Sequence, residues 1–354
     1  MDLYDRSNVT APINGISIMR VVCFGEMLLR LGAPGREPLL QTPTLEISTG
    51  GAEANVARAL AGLGLQTAMV TTLPDGPLGD ACVAELRRTQ VDTSGVLRRP
   101  GRLGLYFFTR GALLRPPHVT YDRAGSVFAT ADPGSYDWPE LLQEADWLHV
   151  SGITPALSDS VAREVDDALD AAETLGVAVS FDCNFRPSLW RGREREAVAI
   201  LKSIARRATL LFAGVHDVRL LYGEDFSSLP ASSGFALAAK VLFGDSSTLT
   251  HVAATARIAH SVDHHEITGL IADRNETATS RVFNLDSIVD RIGSGDAYAA
   301  GTLHALCSGL DLEQAVEFAA ASCALKHGLP GDCSVVSAEE IWEVVRRHDR
   351  DVVR

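Results

Sequence analysis

Eight consecutive residues, Asp290, Arg291, Ile292, Gly293, Ser294, Gly295, Asp296 and Ala297, stand directly before an apolar stretch with helical spacing. Two glycines around one small serine permit a tight turn that aims backbone N–H groups at an anion, and the start of the following helix adds the positive end of its dipole. Asp296 falls in the first turn of that helix, where it can serve as a base beside the anion. The same position also suits an acid with no chemical task, stabilising a helix start by ~0.3–1 kcal/mol. The residues alone leave both readings open.

Two further clusters have the composition of ligand sites. Gly50, Gly51, Ala52, Glu53, Ala54 and Asn55 put two unencumbered amides and then an amide side chain at a helix start, where a polyol can approach the backbone. An ordinary glycine turn reads the same way. Asp182, Cys183, Asn184, Phe185 and Arg186 follow a β-branched run directly, and ligands of open α/β sheets sit beyond the carboxyl ends of strands. Arg186 there suits a carboxylate or a phosphate, or else a surface salt bridge. His264, His265 and Glu266 are adjacent on an extended segment, so their side chains alternate between faces and no third ligand has zinc spacing. His149, His304 and His327 lie in apolar segments and read as core or boundary histidines. The Gly293–Gly295 turn is no dinucleotide fingerprint, because it comes late in the chain and Tyr298 replaces the third small residue.

Elements able to position these clusters are legible. Short apolar runs at Val21–Phe24, Ala68–Thr72, Trp147–Val150, Val177–Phe181, Thr209–Phe212 and Leu249–Ala253 alternate with helical stretches, the pattern of an α/β fold with a mostly parallel sheet flanked by helices. Val161, Val165, Ala168, Leu169, Ala172 and Leu175 recur at helical spacing, with Ser158 or Asp159 as the cap and Gly176 as the stop. A second helix is read over Ala52–Leu63, stopped by Gly64. Polar, aromatic extended segments at about 41–50 and 103–123 break the alternation and read as a small β-sheet lid. Its exposed face predicts a homo-oligomer, a dimer joined through the lids. Residues 1–19 show no period and read as an N-terminal tail; residues 20–350 form the main domain.

Composition removes whole classes of function. The 354 residues carry 32 basic and 45 acidic side chains, a net charge of −13, with no Lys/Arg block to suit nucleic acid. No stretch of ~20 apolar residues spans a bilayer, and the start lacks a signal peptide pattern. Six scattered cysteines without a CxxC pair point to reduced thiols and a cytoplasmic protein.

Taken together, DRIGSGDAYAAG, GGAEANVA and FDCNFRP resemble the PfkB or ribokinase-like family of carbohydrate kinases, from about Arg20 to the C-terminal helices. GRLGLYF, YDRAGS, WLHVSGITPALS, FDCNFRPSLW, VDRIGSGDA and CALKHGLPGD resemble, within it, the branch that phosphorylates 2-dehydro-3-deoxygluconate. That resemblance implies a ribokinase-like fold, ATP with Mg²⁺, and a sugar acid as partner; a monovalent cation near the nucleotide is also compatible with the family. It implies Asp296 as the base and Gly293, Ser294 and Gly295 as the anion hole. Gly50, Gly51 and Asn55 match sugar-binding positions. Tyr106, Arg123 and Arg186 match contacts to the acid, Asn184 lies towards the phosphates, and Asp217 and Arg257 fall near the nucleotide. Two arginines near one pocket favour an acid over a neutral sugar, although either can also serve ATP.

The chain departs from the family where many relatives carry Asn followed three residues later by Glu. Here the residues are Gly214, Val215, His216 and Asp217, so no magnesium ligand is assigned. The segment Ala253, Ala254, Thr255, Ala256, Arg257 also replaces the usual strand with Lys and Gly. Glu26, where relatives often have Asp, touches a hydroxyl or caps a turn. A fructokinase-like or ribokinase-like enzyme and a catalytically weak sugar-acid sensor are the alternatives.

Overall fold

The computed structural model describes residues 19–347; the tail read at residues 1–19 therefore lies, except for Met19, outside the described residues, as do residues 348–350. The six apolar runs form the central strands Arg20–Phe24, Gln66–Pro74, Trp147–Ser151, Ala178–Asp182, Leu210–Phe212 and His251–Ala259. They pair in parallel in the spatial order Gln66–Pro74, Arg20–Phe24, Trp147–Ser151, Ala178–Asp182, Leu210–Phe212, His251–Ala259. Val96–Arg99 extends the first edge in parallel. Beyond His251–Ala259 the sheet turns antiparallel, through His265–Ala272 and the short strands Thr277–Thr279 and Phe283–Leu285. This end escaped the sequence pattern because no crossover helix separates its strands.

Helices cover both faces, and each face has its own apolar core. One is built around Leu60, Met69, Leu303 and Phe318, the other around Phe24, Leu148, Phe181 and Phe235. The helix Asp159–Leu175 starts on Ser158, whose side chain accepts from Val161 N, and ends at Gly176 in the left-handed region. The glycine-entered helix runs over Ala52–Gly62. None of the helices among the described residues is long and apolar enough to cross a membrane. All six cysteines are unpaired, and all but Cys307 are buried.

The lid is a separate four-stranded sheet in the order Glu46–Gly50, Leu28–Gly32, Leu105–Thr109, His118–Asp122. Three of its strands, Glu46–Gly50, Leu105–Thr109 and His118–Asp122, match the extended segments, with residues 41–45 remaining irregular. The central strand Leu28–Gly32 was not anticipated: it follows the first core strand after only three residues, so the chain passes from core to lid without a helix to signal the change. It pairs antiparallel with Glu46–Gly50 and parallel with Leu105–Thr109.

Lid and core meet at a glycine. Gly51 has φ 137°, and a Cβ there would lie 2.3 Å from the carbonyl oxygen of Glu26. Gly51→Ala is therefore expected to destabilise the chain by about 2 kcal/mol, seen as a lower urea midpoint at unchanged slope; an unchanged midpoint would show that this junction yields.

Candidate active site

The site forms at the carboxyl edge of the parallel strands, where the chain exits deliver residues to one cleft. Glu26 follows Arg20–Phe24, Ile153 follows Trp147–Ser151, and Asp182 ends Ala178–Asp182. The helix Ser294–Cys307 points its N-terminus at the same spot, with Gly293 as N-cap at φ 80°. The lid contributes Leu28, Tyr106, Val119, Tyr121 and Arg123 from above. A cavity of about 520 Å³ lies between them.

Of the thirteen residues singled out from sequence, eleven line this cavity: Gly51, Asn55, Tyr106, Arg123, Asn184, Arg186, Arg257, Gly293, Ser294, Gly295 and Asp296. Gly50 stands just behind, where a Cβ would come within 2.2 Å of Asp332 Oδ2. Asp217 does not line the cavity. Its carboxylate accepts from the backbone N–H of Gly214 at 2.8 Å and so caps the helix Val215–Tyr222. It instead raises the pKa of Asp182.

Asp296 is held by one short contact: Asn55 Nδ2 donates to its Oδ2 at 2.7 Å. Burial pushes the Asp296 pKa up to about 7, with Asp332 and Glu53 adding to the rise while the Asn55 bond and Arg186 oppose it. A carboxyl poised near neutrality can both take and release a proton. Asn55 Oδ1 is buried without a partner, an acceptor aimed at a donor that the chain does not supply. Asp182 is raised further, to about 8, by burial and then by Asp296 and Asp217.

The two ends of the cavity differ in charge. At the lid end, Arg123 gives Nε and Nη2 to Glu26 Oε2 at 2.7 and 2.5 Å, and Ser126 Oγ donates to Oε1. Glu26 thus neither caps a turn nor stands free; it orients Arg123. Tyr106 Oη donates to Asp332 Oδ2 at 2.5 Å, and Arg30 Nη1 reaches Oδ1 at 2.9 Å. At the other end Arg186, Arg257 and Arg291 line the wall without an ion pair to any described residue. Their mutual repulsion adds to burial in lowering the Arg291 pKa. Three unpaired guanidinium groups beside a helix N-terminus form a ready anion site.

Sequence reasoning passed over Asp332, Arg291, Tyr121 and Ile153, and left Glu53 and Asp182 without roles. Arg291 and Asp332 lie inside the quoted segments VDRIGSGDA and CALKHGLPGD, so proximity to the glycine turns was the available signal. Glu53 Oε1 accepts from Ser151 N, Ser151 Oγ and Thr154 Oγ1 at 2.9, 2.7 and 2.7 Å. That clamp fixes the start of the helix that carries Asn55.

A raised aspartate pKa means that the folded chain binds the proton more tightly than the unfolded one. The charge on Asp296 therefore destabilises the fold increasingly as pH climbs from the ordinary 3.8 to about 7. Asp296→Asn removes this charge, and its thermal midpoint should exceed the parent's at pH about 8, with the gain shrinking towards pH about 5. A midpoint difference independent of pH would refute the placement of a destabilising carboxylate here.

Comparison with known proteins agrees with this architecture. The profile of the pfkB family carbohydrate kinase matches residues 19–260 and 268–337. The chain is 32% identical over 341 residues to the 2-dehydro-3-deoxygalactonokinase of Haloferax volcanii, covering 94% of this chain and 99% of that one. It is 27% identical over 328 residues to the 2-dehydro-3-deoxygluconokinase of Bacillus subtilis, covering 90% and 93%. The crystal structure of 2-dehydro-3-deoxygluconokinase from Thermotoga maritima aligns with a TM-score of 0.88 at 36% identity, covering 92% of this chain and 99% of that one. With a family profile along most of its length and the matching fold around one polar cleft, the chain belongs to the pfkB family of carbohydrate kinases, phosphotransferases that use an alcohol group as acceptor.

Proposed function

We propose that the chain transfers the γ-phosphoryl group of ATP to the terminal hydroxyl of 2-dehydro-3-deoxygluconate. The observation that carries this reading is the position of Asp296: it lies between a lid end rich in hydrogen-bonding groups and an opposite end with three unpaired arginines. In this reading Asp296 accepts the hydroxyl proton as the substrate oxygen bonds to the γ-phosphorus. The bond from phosphorus to the bridging oxygen breaks, and its electron pair leaves with ADP. Asn55 orients the base, and its free Oδ1 accepts from a substrate hydroxyl. The N–H groups of the Gly293–Gly295 turn face the charge that develops on the transferring group.

The triphosphate fits the wall lined by Arg257 and Arg291, with Asn184 beside it. The left-handed backbone of Asn184, φ 34°, is tied to Asp182. No group of three or more His, Cys, Asp or Glu among the described residues is arranged to hold a metal. In this reading Asp182 is the carboxylate that would face Mg²⁺ bound with the nucleotide, and the ion would neutralise phosphate charge. Arg123 is committed to Glu26, so the substrate carboxylate falls to Arg186, whose donors are free. Residues 20–350 act as one domain, and the outer lid face, where Ile47 is 67% exposed, is covered by the lid of a second copy.

The deciding experiment is coupled ADP release with ATP and Mg²⁺, comparing 2-dehydro-3-deoxygluconate, its galactonate epimer, gluconate, fructose and ribose. Turnover confined to the keto acids is expected; preference for a neutral sugar would reject the substrate, and binding without turnover would reveal a sensor. Asp296→Asn should lower kcat by about a thousandfold or more with substrate binding retained, and kcat/KM of the parent should rise with pH through about 7. Arg186→Ala should weaken the acid far more than a neutral analogue; equal losses would assign Arg186 to ATP.

A further inference from the structure

Lys326 closes the helix Leu312–Lys326 and is fully buried, outside the lining of the site cavity. A lysine is almost never fully buried unless it is paired. Here the ammonium donates to two backbone carbonyl oxygens, Asp290 O at 3.3 Å and Leu329 O at 3.1 Å. The charged groups around it are Asp290, Asp332 and Arg30, each no more than 4% exposed. Arg30 joins the two carboxylates, reaching Asp290 at 2.6 Å and Asp332 at 2.9 Å. Two cations and two anions thus balance in the interior. Burial lowers the Lys326 pKa, and both aspartates act against that fall.

Several of these contacts converge on the turn before Asp296. The carbonyl of His327 accepts from Val289 N and Asp290 N at 2.9 and 3.2 Å, while Lys326 holds the Asp290 carbonyl on the other side. Asp290 Oδ1 then accepts from Ile292 N at 3.1 Å. Gly293 packs so closely on the Asp332 carbonyl that a Cβ would lie 1.7 Å from it. Carbonyl oxygens that converge away from water also suit a bound monovalent ion, because they replace its hydration shell.

We propose that Lys326 is a positioning residue: a tethered internal cation that holds the Asp290–Gly293 turn in register with Asp296, so that phosphoryl transfer needs no added monovalent ion. The proposal rests on the kinase reading above, and its test includes a readout independent of that reading.

The parent protein is measured in potassium, ammonium and tetramethylammonium chloride at equal ionic strength, for turnover and for thermal midpoint. Both should be the same in all three salts within about twofold in rate. Lys326→Ala should lose about tenfold or more in kcat with KM for the keto acid changed less than about threefold. Ammonium or potassium, but not the larger tetramethylammonium, should restore most of that loss and raise the midpoint of the variant. Lys326→Met, which refills the space without charge, should show the same loss and no rescue. Potassium activation of the parent overturns the proposal. So does Lys326→Ala with unchanged kcat, or with a loss that no small cation repairs. Should both variants fail to fold, the parent's response to the three salts decides. Should the parent not turn over the keto acid, the substrate reading fails alone, and the midpoints still decide the role of Lys326.

Discussion

Five carboxyl groups, Glu26, Glu53, Asp182, Asp296 and Asp332, line one cavity, and the site is organised around accommodating them. Like charges repel strongly where water is scarce. Three are satisfied locally: Glu26 by Arg123 and Ser126, Asp332 by Arg30 and Tyr106, and Glu53 by the donors of Ser151 and Thr154. Asp182 and Asp296 have no cation in contact, and their pKa values rise to about 8 and about 7. Burial raises Glu53 and Asp332 as well, against the pull of their donors, so Asp182 and Asp296 are set apart by the lack of a cation in contact.

The fold makes that selectivity possible by drawing each group from a different element. Parallel strands end at one edge, so Glu26, Ser151 and Asp182 arrive from neighbouring strands without being close in sequence. The lid adds Tyr106 and Arg123 from an independent sheet, and the chain after the helix Leu312–Lys326 returns Asp332 to the underside of the glycine turn that Asp290 leads into. Arg30, on the unanticipated lid strand, joins the lid to both of those aspartates. Breaking such a buried pair typically costs about 3–5 kcal/mol, because the surviving charge has no water to turn to.

Much of the fold was legible because burial on both faces writes itself as short apolar runs. Val21–Phe24 and Trp147–Val150 kept their places to within a residue, and Ser158 and Gly176 bounded their helix as read. Leu28–Gly32 and the antiparallel edge were not legible, since neither is set off by a crossover helix. Glycine turns gave away Asp296 and Asn55, whose neighbours in sequence are also their neighbours in space. Asp332, Arg30 and Lys326 could not be found that way, because their partners lie 302 and 36 residues distant along the chain, at Arg30 and Asp332 and at Lys326 and Asp290 respectively. Arg123 was identified, but its engagement with Glu26 depends on a contact across 97 residues.

The pairing of Arg123 with Glu26 and of Tyr106 with Asp332 has a consequence for the order of events in the cleft. These side chains lose their rotational freedom when the chain folds, so a ligand bound against them costs the protein little further entropy. The opposite wall is different: Arg186 and Arg257 are exposed and unpaired, and their long side chains retain many rotamers until an anion gathers them. The lid end of the cleft is therefore stiff, and conformational adaptation belongs to the wall that carries the unpaired arginines.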